Sequence, residues 1–229
     1  NISYLYNNNL NLIIENTLNI TDNYRGPFTY LISSILLKIT GNSYKFAYLS
    51  NQIFNFITLI SIYELGKILK DKKTGLYASI IFAFNPFIFL QRTDYLIDLS
   101  LTAFSVLTFL VLTKWFFSKR EISLFSFLFG LFLGFVFLIK PTGISLFLLS
   151  IALVIYKKFR KSKKSNFTIE IILSITIFFL IISPWFFKHW LTIISSTINA
   201  WKWGINYQDG LDMNSLKGWL YYFYIFPKF

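Results

Sequence analysis

Five charged residues stand where a very apolar chain has least reason to carry them: Arg25, Arg92, Asp94, Asp98 and Lys140. Arg25 lies two residues before Pro27, which opens the run Phe28-Thr29-Tyr30-Leu31-Ile32-Ser33-Ser34-Ile35-Leu36-Leu37, ending at Lys38 and Gly41. Proline suits the first turn of a helix and glycine its end, so the spacing predicts a helix of about 13 residues with Arg25 at its N-terminus. A guanidinium beside free helix amides can hold a phosphate at a membrane surface, although contact with lipid headgroups is the plainer alternative. Asp94 and Asp98 are four apart, which on a helix puts both carboxylates on one face. With Arg92 they could bind a metal, the hydroxyls of a sugar, or each other; Asp98 could also simply cap the helix that it opens. Lys140, in Lys140-Pro141-Thr142-Gly143 between two apolar runs, must find an anion such as Asp94, Asp98 or a lipid phosphate, or else snorkel to water.

The elements that position these residues are membrane helices. Six apolar stretches read as spans: Ala47–Leu69, Gly75–Leu90, Leu99–Phe117, Ile122–Ile139, Ile144–Tyr156 and Phe167–Phe187. A bilayer core of roughly 30 Å takes about 20 residues of helix to cross, so the short second and fifth stretches are expected to extend into their polar flanks. No charge is expected in the middle of any span, and Glu64 comes nearest. Residues 1–46 form a first extracytoplasmic segment whose short helix lies in the interface, residues 47–187 the six-helix membrane region, and residues 188–229 a second extracytoplasmic segment. The fold class is therefore all-α, a polytopic transmembrane bundle with a juxtamembrane helix.

Composition fits this class. The chain is 55% hydrophobic and 21% aromatic, beyond what a soluble domain of 229 residues carries. Its net charge of +12 is not a nucleic-acid footprint, because 13 of the 22 basic residues fall in three short loops on one face. Those are Lys67, Lys70, Lys72 and Lys73; Lys114, Lys119 and Arg120; and Lys157, Lys158, Arg160, Lys161, Lys163 and Lys164. The excess of basic residues places this face in the cytoplasm, and the five residues of the opening paragraph on the other side. With no cysteine and a single histidine, thiolate metal sites, disulfides and imidazole clusters are excluded. His189, beside Pro184, Trp185 and Trp190, reads as an interfacial anchor.

The chain starts at Asn1, and residues 1–46 contain no complete span and no signal peptide pattern. Something upstream is expected to carry that segment across the membrane, most simply one further helix, so the sequence reads as a fragment.

In their order, these motifs resemble the GT-C glycosyltransferases that use polyprenyl-phosphate sugars. The likeness is to the protein O-mannosyltransferase branch and its aminoarabinose-transferase relatives. Tyr24-Arg25-Gly26-Pro27-Phe28-Thr29-Tyr30 resembles the basic, Pro-Pro, aromatic motif that opens the family's juxtamembrane helix, with Gly26 in place of one proline. Lys38-Ile39-Thr40-Gly41-Asn42-Ser43 resembles the turn that follows. Asn85-Pro86, Arg92 and Asp98 resemble the end of one helix, a loop and the family's next aspartate. Gly130, Gly134 and Lys140 resemble its Gly-rich helix ending in lysine, and Pro184-Trp185 its proline-tryptophan boundary. The resemblance covers about Tyr24 to Trp190.

It implies that Arg25 and Lys140 contact the donor's phosphate, with Arg92 a further substrate contact. Asp98, and less directly Asp94, would be the catalytic-site carboxylates. The family's base follows its first transmembrane helix, and is expected upstream of residue 1, which would leave the fragment inactive alone. The implied reaction is an inverting sugar transfer from a polyprenyl-phosphate donor to an unknown acceptor at the outer face of the bacterial inner membrane. It needs no nucleotide cofactor, and the resemblance leaves a divalent metal open. The alternative is a transporter or flippase for a lipid-linked or anionic substrate. Transporters tend to break their helices near the midplane and to show repeated halves, neither of which is evident here. A structural subunit without catalysis is a third reading.

Overall fold

The computed structural model describes residues 15–16, 18–19, 25–40, 49–86, 88, 97–118, 123–161 and 164–206. Arg92 and Asp94 lie outside the described residues. The described chain is an all-α membrane bundle with no strand. Its elements are α1 (Phe28–Thr40), α2 (Leu49–Leu69), α3 (Lys72–Ala83), α4 (Ile97–Phe117), α5 (Leu124–Ile139), a 3-10 helix (Pro141–Phe147), α6 (Leu148–Lys161) and α7 (Lys164–Asn206). The chain divides into two compact units, Asn1–Lys188 and His189–Phe229. The packing described here belongs to the first.

Among the described residues, three helical stretches are long and apolar enough to cross a membrane: Leu49–Leu69, Ile97–Phe117 and Phe167–Ser196. The other expected spans are shorter. At 16 residues, α5 reaches about 24 Å. Where an α-helix was expected from Ile144, the chain instead starts as a 3-10 helix at Pro141. With its longer rise per residue, the apolar stretch Pro141–Lys157 reaches about 29 Å, close to the thickness of a bilayer core.

The expected span Gly75–Leu90 does not form as drawn. Asp71 caps α3 by accepting the Thr74 amide at 2.7 Å, and the helix then ends at Ala83 after only 12 residues. The Phe84 amide closes on the Ile80 carbonyl and the Asn85 amide on that of Phe82. Pro86 follows; it has no amide to continue the ladder, and it disfavours helical backbone at Asn85.

Helix α2 shows why the bundle holds together. Its buried residues are Ser50, Asn51, Phe54, Asn55, Thr58, Ser61 and Gly66, while Ile53, Phe56, Ile60 and Leu69 are exposed. In lipid the hydrophobic effect does not drive helices together, so small and polar residues face protein and apolar ones face outward. Helix α2 packs on α4 and α3, and α4 packs in turn on α5. Glu64 joins the basic ends of α2 and α4, 2.9 Å from Lys67 and 3.9 Å from Lys114, so these two helices run in the same direction.

Pro184 was expected to end the last span, but it lies inside α7, which runs to Asn206. A proline in a helix strips one amide from the ladder, here the partner of the Leu180 carbonyl. The Ser183 hydroxyl donates to that carbonyl at 3.2 Å. Neighbouring hydroxyls of this kind are what make proline tolerable in membrane helices.

Candidate functional site

One backbone hydrogen bond organises the end of the bundle opposite Lys67 and Lys114. The Gly26 amide donates to the Ile139 carbonyl at 2.9 Å. Each partner has a cation as its chain neighbour, Arg25 on one side and Lys140 on the other. Residues 115 apart in sequence are thereby held on adjacent strands of backbone, and both are half-buried. Only glycine fits here: a Cβ at Gly26 would run into the Leu138 carbonyl. Gly26 thus permits the close approach of the backbone next to Arg25 to the backbone next to Lys140.

The helix expected after Pro27 forms as α1, Phe28–Thr40. Its first bond runs from the Leu31 amide to the Pro27 carbonyl, at 2.9 Å. Arg25 stands just ahead of that turn. Phe28, Thr29, Ser33, Ser34 and Leu37 of this helix are buried against the bundle. Thr29 Oγ1 and Ser100 Oγ share a hydrogen bond of 2.6 Å, which ties the start of α1 to the first turns of α4. Asp98, two residues before Ser100, is half-buried in that first turn. Its own carbonyl accepts the Thr102 hydroxyl at 2.8 Å.

Lys140 ends α5, its amide bonded to the Val136 carbonyl at 3.0 Å, and also starts the 3-10 helix, its carbonyl accepting the Gly143 amide at 2.8 Å. Arg25, Asp98 and Lys140 are therefore fixed at the starts or ends of three different helices gathered at one end of the bundle. Beneath them, Phe28 meets Phe104 edge-on at 4.9 Å and stacks on Phe135 at 4.5 Å. That aromatic contact belongs to the core formed with Phe54, Leu99, Ala103, Val136, Ile139 and Phe147. Beside Arg25 lies an apolar pocket of about 90 Å³, lined by Leu18, Pro27, Phe28, Leu31, Leu138, Ile181, Pro184 and Trp185. The Pro27-Phe28 and Pro184-Trp185 motifs thus face the same small space. Among the described residues, no three His, Asp or Glu side chains converge to hold a metal.

A family model for dolichyl-phosphate-mannose-protein mannosyltransferase matches residues 24–187, from the residue before Arg25 to the expected end of the last span. The chain belongs to that family. It is accordingly a membrane glycosyltransferase of GT-C type. No curated protein and no solved structure matches it.

In this mannosyltransferase-family chain, one conspicuous carboxylate escaped the sequence reading. Glu170 is only 2% exposed and sits near the start of α7. It accepts the Trp115 indole N–H at 2.9 Å and the Ser123 amide at 2.7 Å. Ser123 caps α5, so Glu170 faces the positive end of that helix. An acid inside an apolar run must have partners, and that alone could have marked it. It joins α4, α5 and α7 at the basic end of the bundle, away from Arg25.

Proposed function

We propose that this glycosyltransferase uses a polyprenyl-phosphate sugar as donor, with Arg25 and Lys140 binding the donor's phosphate. The observation that carries the reading is the Gly26–Ile139 hydrogen bond of 2.9 Å, which couples the two cations at the start of α1. The apolar pocket beside Arg25 supports it, since a lipid-linked phosphate presents an isoprenoid group next to its charge.

In the reaction, an acceptor hydroxyl or amine gives up its proton to a carboxylate base as it attacks the anomeric carbon, and the polyprenyl phosphate departs with the electrons of the broken C–O bond. The configuration at the anomeric carbon inverts. Negative charge grows on the leaving phosphate, where Arg25 and Lys140 stabilise it at fixed positions in a low-dielectric setting. Asp98 is the carboxylate on the neighbouring helix that orients the sugar or acceptor, with Asp94 and Arg92, which precede it in the sequence, as further contacts. The site lies on the side opposite the basic loops, hence extracytoplasmic by the distribution of lysine and arginine, in a bacterial inner membrane.

The test is release of polyprenyl phosphate from a radiolabelled polyprenyl-phosphate sugar, by the purified product of the complete gene in detergent and by its Arg25→Ala variant. Loss of turnover in a variant that melts like the parent supports the assignment. Parental turnover by folded Arg25→Ala protein overturns it.

A further inference from the structure

The segment that follows Lys140 has a backbone at odds with its sequence. Pro141–Phe147 is a 3-10 helix of 7 residues, where such runs seldom exceed about three or four. Its apolar residues keep the other period. Ile144, Phe147, Ile151 and Val154 recur at alternating three- and four-residue spacings, the mark of one α-helix running on into α6. The 3-10 pattern starts at Lys140, whose carbonyl accepts the Gly143 amide at 2.8 Å.

Opposite this segment stands a polar group with nothing to bond. On α4, Leu101 lies against Gly143, and Phe109 packs on Phe147 with ring centres 4.5 Å apart. Ser105 is one helical turn from each, and so on the same face of α4. It is buried, and its hydroxyl has no hydrogen-bond partner among the described residues. A hydroxyl buried in that way favours a rearrangement that offers it a carbonyl.

Helix α6 is able to follow such a rearrangement. Of Leu148–Lys157 only Val154 is buried, while Leu148, Leu149, Leu153 and Tyr156 are exposed. Residues 148–155 are apolar on every side except at Ser150, so in lipid no polar face fixes their rotation. On the inner side, Ile151 and Ile155 border an apolar cavity of about 290 Å³ against α5 and α7, which leaves room to turn. Helix α5 is pinned instead, by the Gly26 amide on its Ile139 carbonyl.

We propose that Pro141–Phe147 passes between 3-10 and α backbone, and that a phosphate held at Lys140 draws it to the α state. Conversion shortens the segment by about 3.5 Å and winds each residue by about 20° less. Helix α6 is thereby drawn toward Lys140 and turned about its axis. The Lys140 carbonyl passes from the Gly143 amide to that of Ile144. The Gly143 amide then donates to the phosphate, a bond that exists in the α state alone and supplies the differential affinity a ligand-driven change requires. The trigger rests on the reading of Lys140 given above; the two states do not.

The experiment is pulsed electron paramagnetic resonance on the purified product of the complete gene, spin-labelled through Leu69→Cys and Leu153→Cys, both exposed positions. Residues 1–229 contain no cysteine, and any elsewhere in the full chain is replaced. The lipid-free protein should show two distance populations, one of which decaprenyl phosphate raises and decaprenol does not. Ser145→Ala puts the best α-former at an exposed position and should raise that same population about twofold. Ser105→Ala removes the unbonded hydroxyl and should lower it about fivefold. General loosening of the bundle would not move the two variants in opposite directions. One population in all three proteins, or both variants shifting the same way, overturns the two states. Populations that answer to the variants but not to decaprenyl phosphate, or equally to decaprenol, overturn the coupling. Turnover by Arg25→Ala tests the phosphate reading separately.

Discussion

Gly26 donates its amide to the carbonyl of Ile139, 2.9 Å away, and with that bond the residue before one helix meets the residue that ends another. The bond brings the backbone at Arg25 beside the backbone at Lys140, and residues so close are expected to respond non-additively to mutation. Helix α1 is tied to the same place by Thr29 and Ser100, so the arrangement is held on both sides of Pro27.

The first prediction concerns those two cations. Arg25→Ala and Lys140→Ala should each lower donor turnover by about a hundredfold or more, the scale of losing a positioned charge-stabilising group. The double variant should fall well short of the product of the single losses. Steady-state assays on all four proteins, with melting curves as a control for folding, measure this. Strict multiplicativity would mean that the two cations do not share one phosphate.

Gly26→Ala tests the backbone contact itself. The added Cβ meets the Leu138 carbonyl, which belongs to rigid backbone, so α1 and α5 must separate. Overpacking of this kind typically costs about 1–3 kcal/mol. A lower melting temperature should accompany a loss of turnover even though both cations are intact. An unchanged melting temperature would show that α1 docks by other contacts alone.

How far the sequence reveals this arrangement depends on the kind of signal. The juxtamembrane helix was legible because Pro27 and Gly41 bracket an apolar run, and α1 spans Phe28–Thr40. The bundle was legible from its apolar stretches and from the alternation of its basic loops. Pairwise contacts were not. Nothing in the spacing of Gly26 and Ile139 announces a hydrogen bond, and the polar face of α2 (Asn51, Asn55, Thr58) reads as an interruption until α4 lies against it. Hydropathy also misplaced two helix ends. At Ala83 backbone chemistry ended the helix early, because Pro86 offers no amide. At Pro184 it let the helix continue, because Ser183 could replace the missing donor.

That second case yields a prediction of its own. If Ser183 compensates for Pro184, Ser183→Ala should destabilise the protein by about 0.5–1.5 kcal/mol, the net worth of a typical hydrogen bond. In a Pro184→Ala background the amide returns to the Leu180 carbonyl, and the same serine change should cost much less. A double-mutant cycle in denaturant-dependent unfolding from detergent measures the coupling. Equal costs in both backgrounds would show that the hydroxyl contact is incidental.

Asp71 provides a pH-dependent test outside the spans. The Thr74 amide, at 2.7 Å, holds its carboxyl below the ordinary aspartate value. A depressed folded-state value contributes stability that is present above the unfolded value and lost as pH falls through the folded one. The thermal stability of the parent should therefore decline on acidification across that acidic window. Asp71→Asn keeps an oxygen to accept the Thr74 amide but cannot titrate, so its decline should be shallower. Parallel acid limbs for the two proteins would assign the effect to other carboxylates.

Glu170 provides the sharpest test of the bundle's opposite end. Both of its oxygens receive donors, the Trp115 indole at 2.9 Å and the Ser123 amide at 2.7 Å, and it is almost wholly buried. Glu170→Gln keeps the shape but presents an amide NH₂ to one of the two donors, leaving two N–H groups facing each other. An unsatisfied buried polar group costs about 1–3 kcal/mol. Glu170→Gln should therefore be strongly destabilising despite being isosteric. Glu170→Met, which fills similar space but offers neither donor an oxygen, should be no better. Trp115 reports the change directly, because its indole N–H loses or exchanges its acceptor and its emission should shift. Melting temperature and tryptophan emission, read together, separate this from a general loosening of α7. If Glu170→Gln melts like the parent with unaltered emission, the carboxylate does not hold α4, α5 and α7 together.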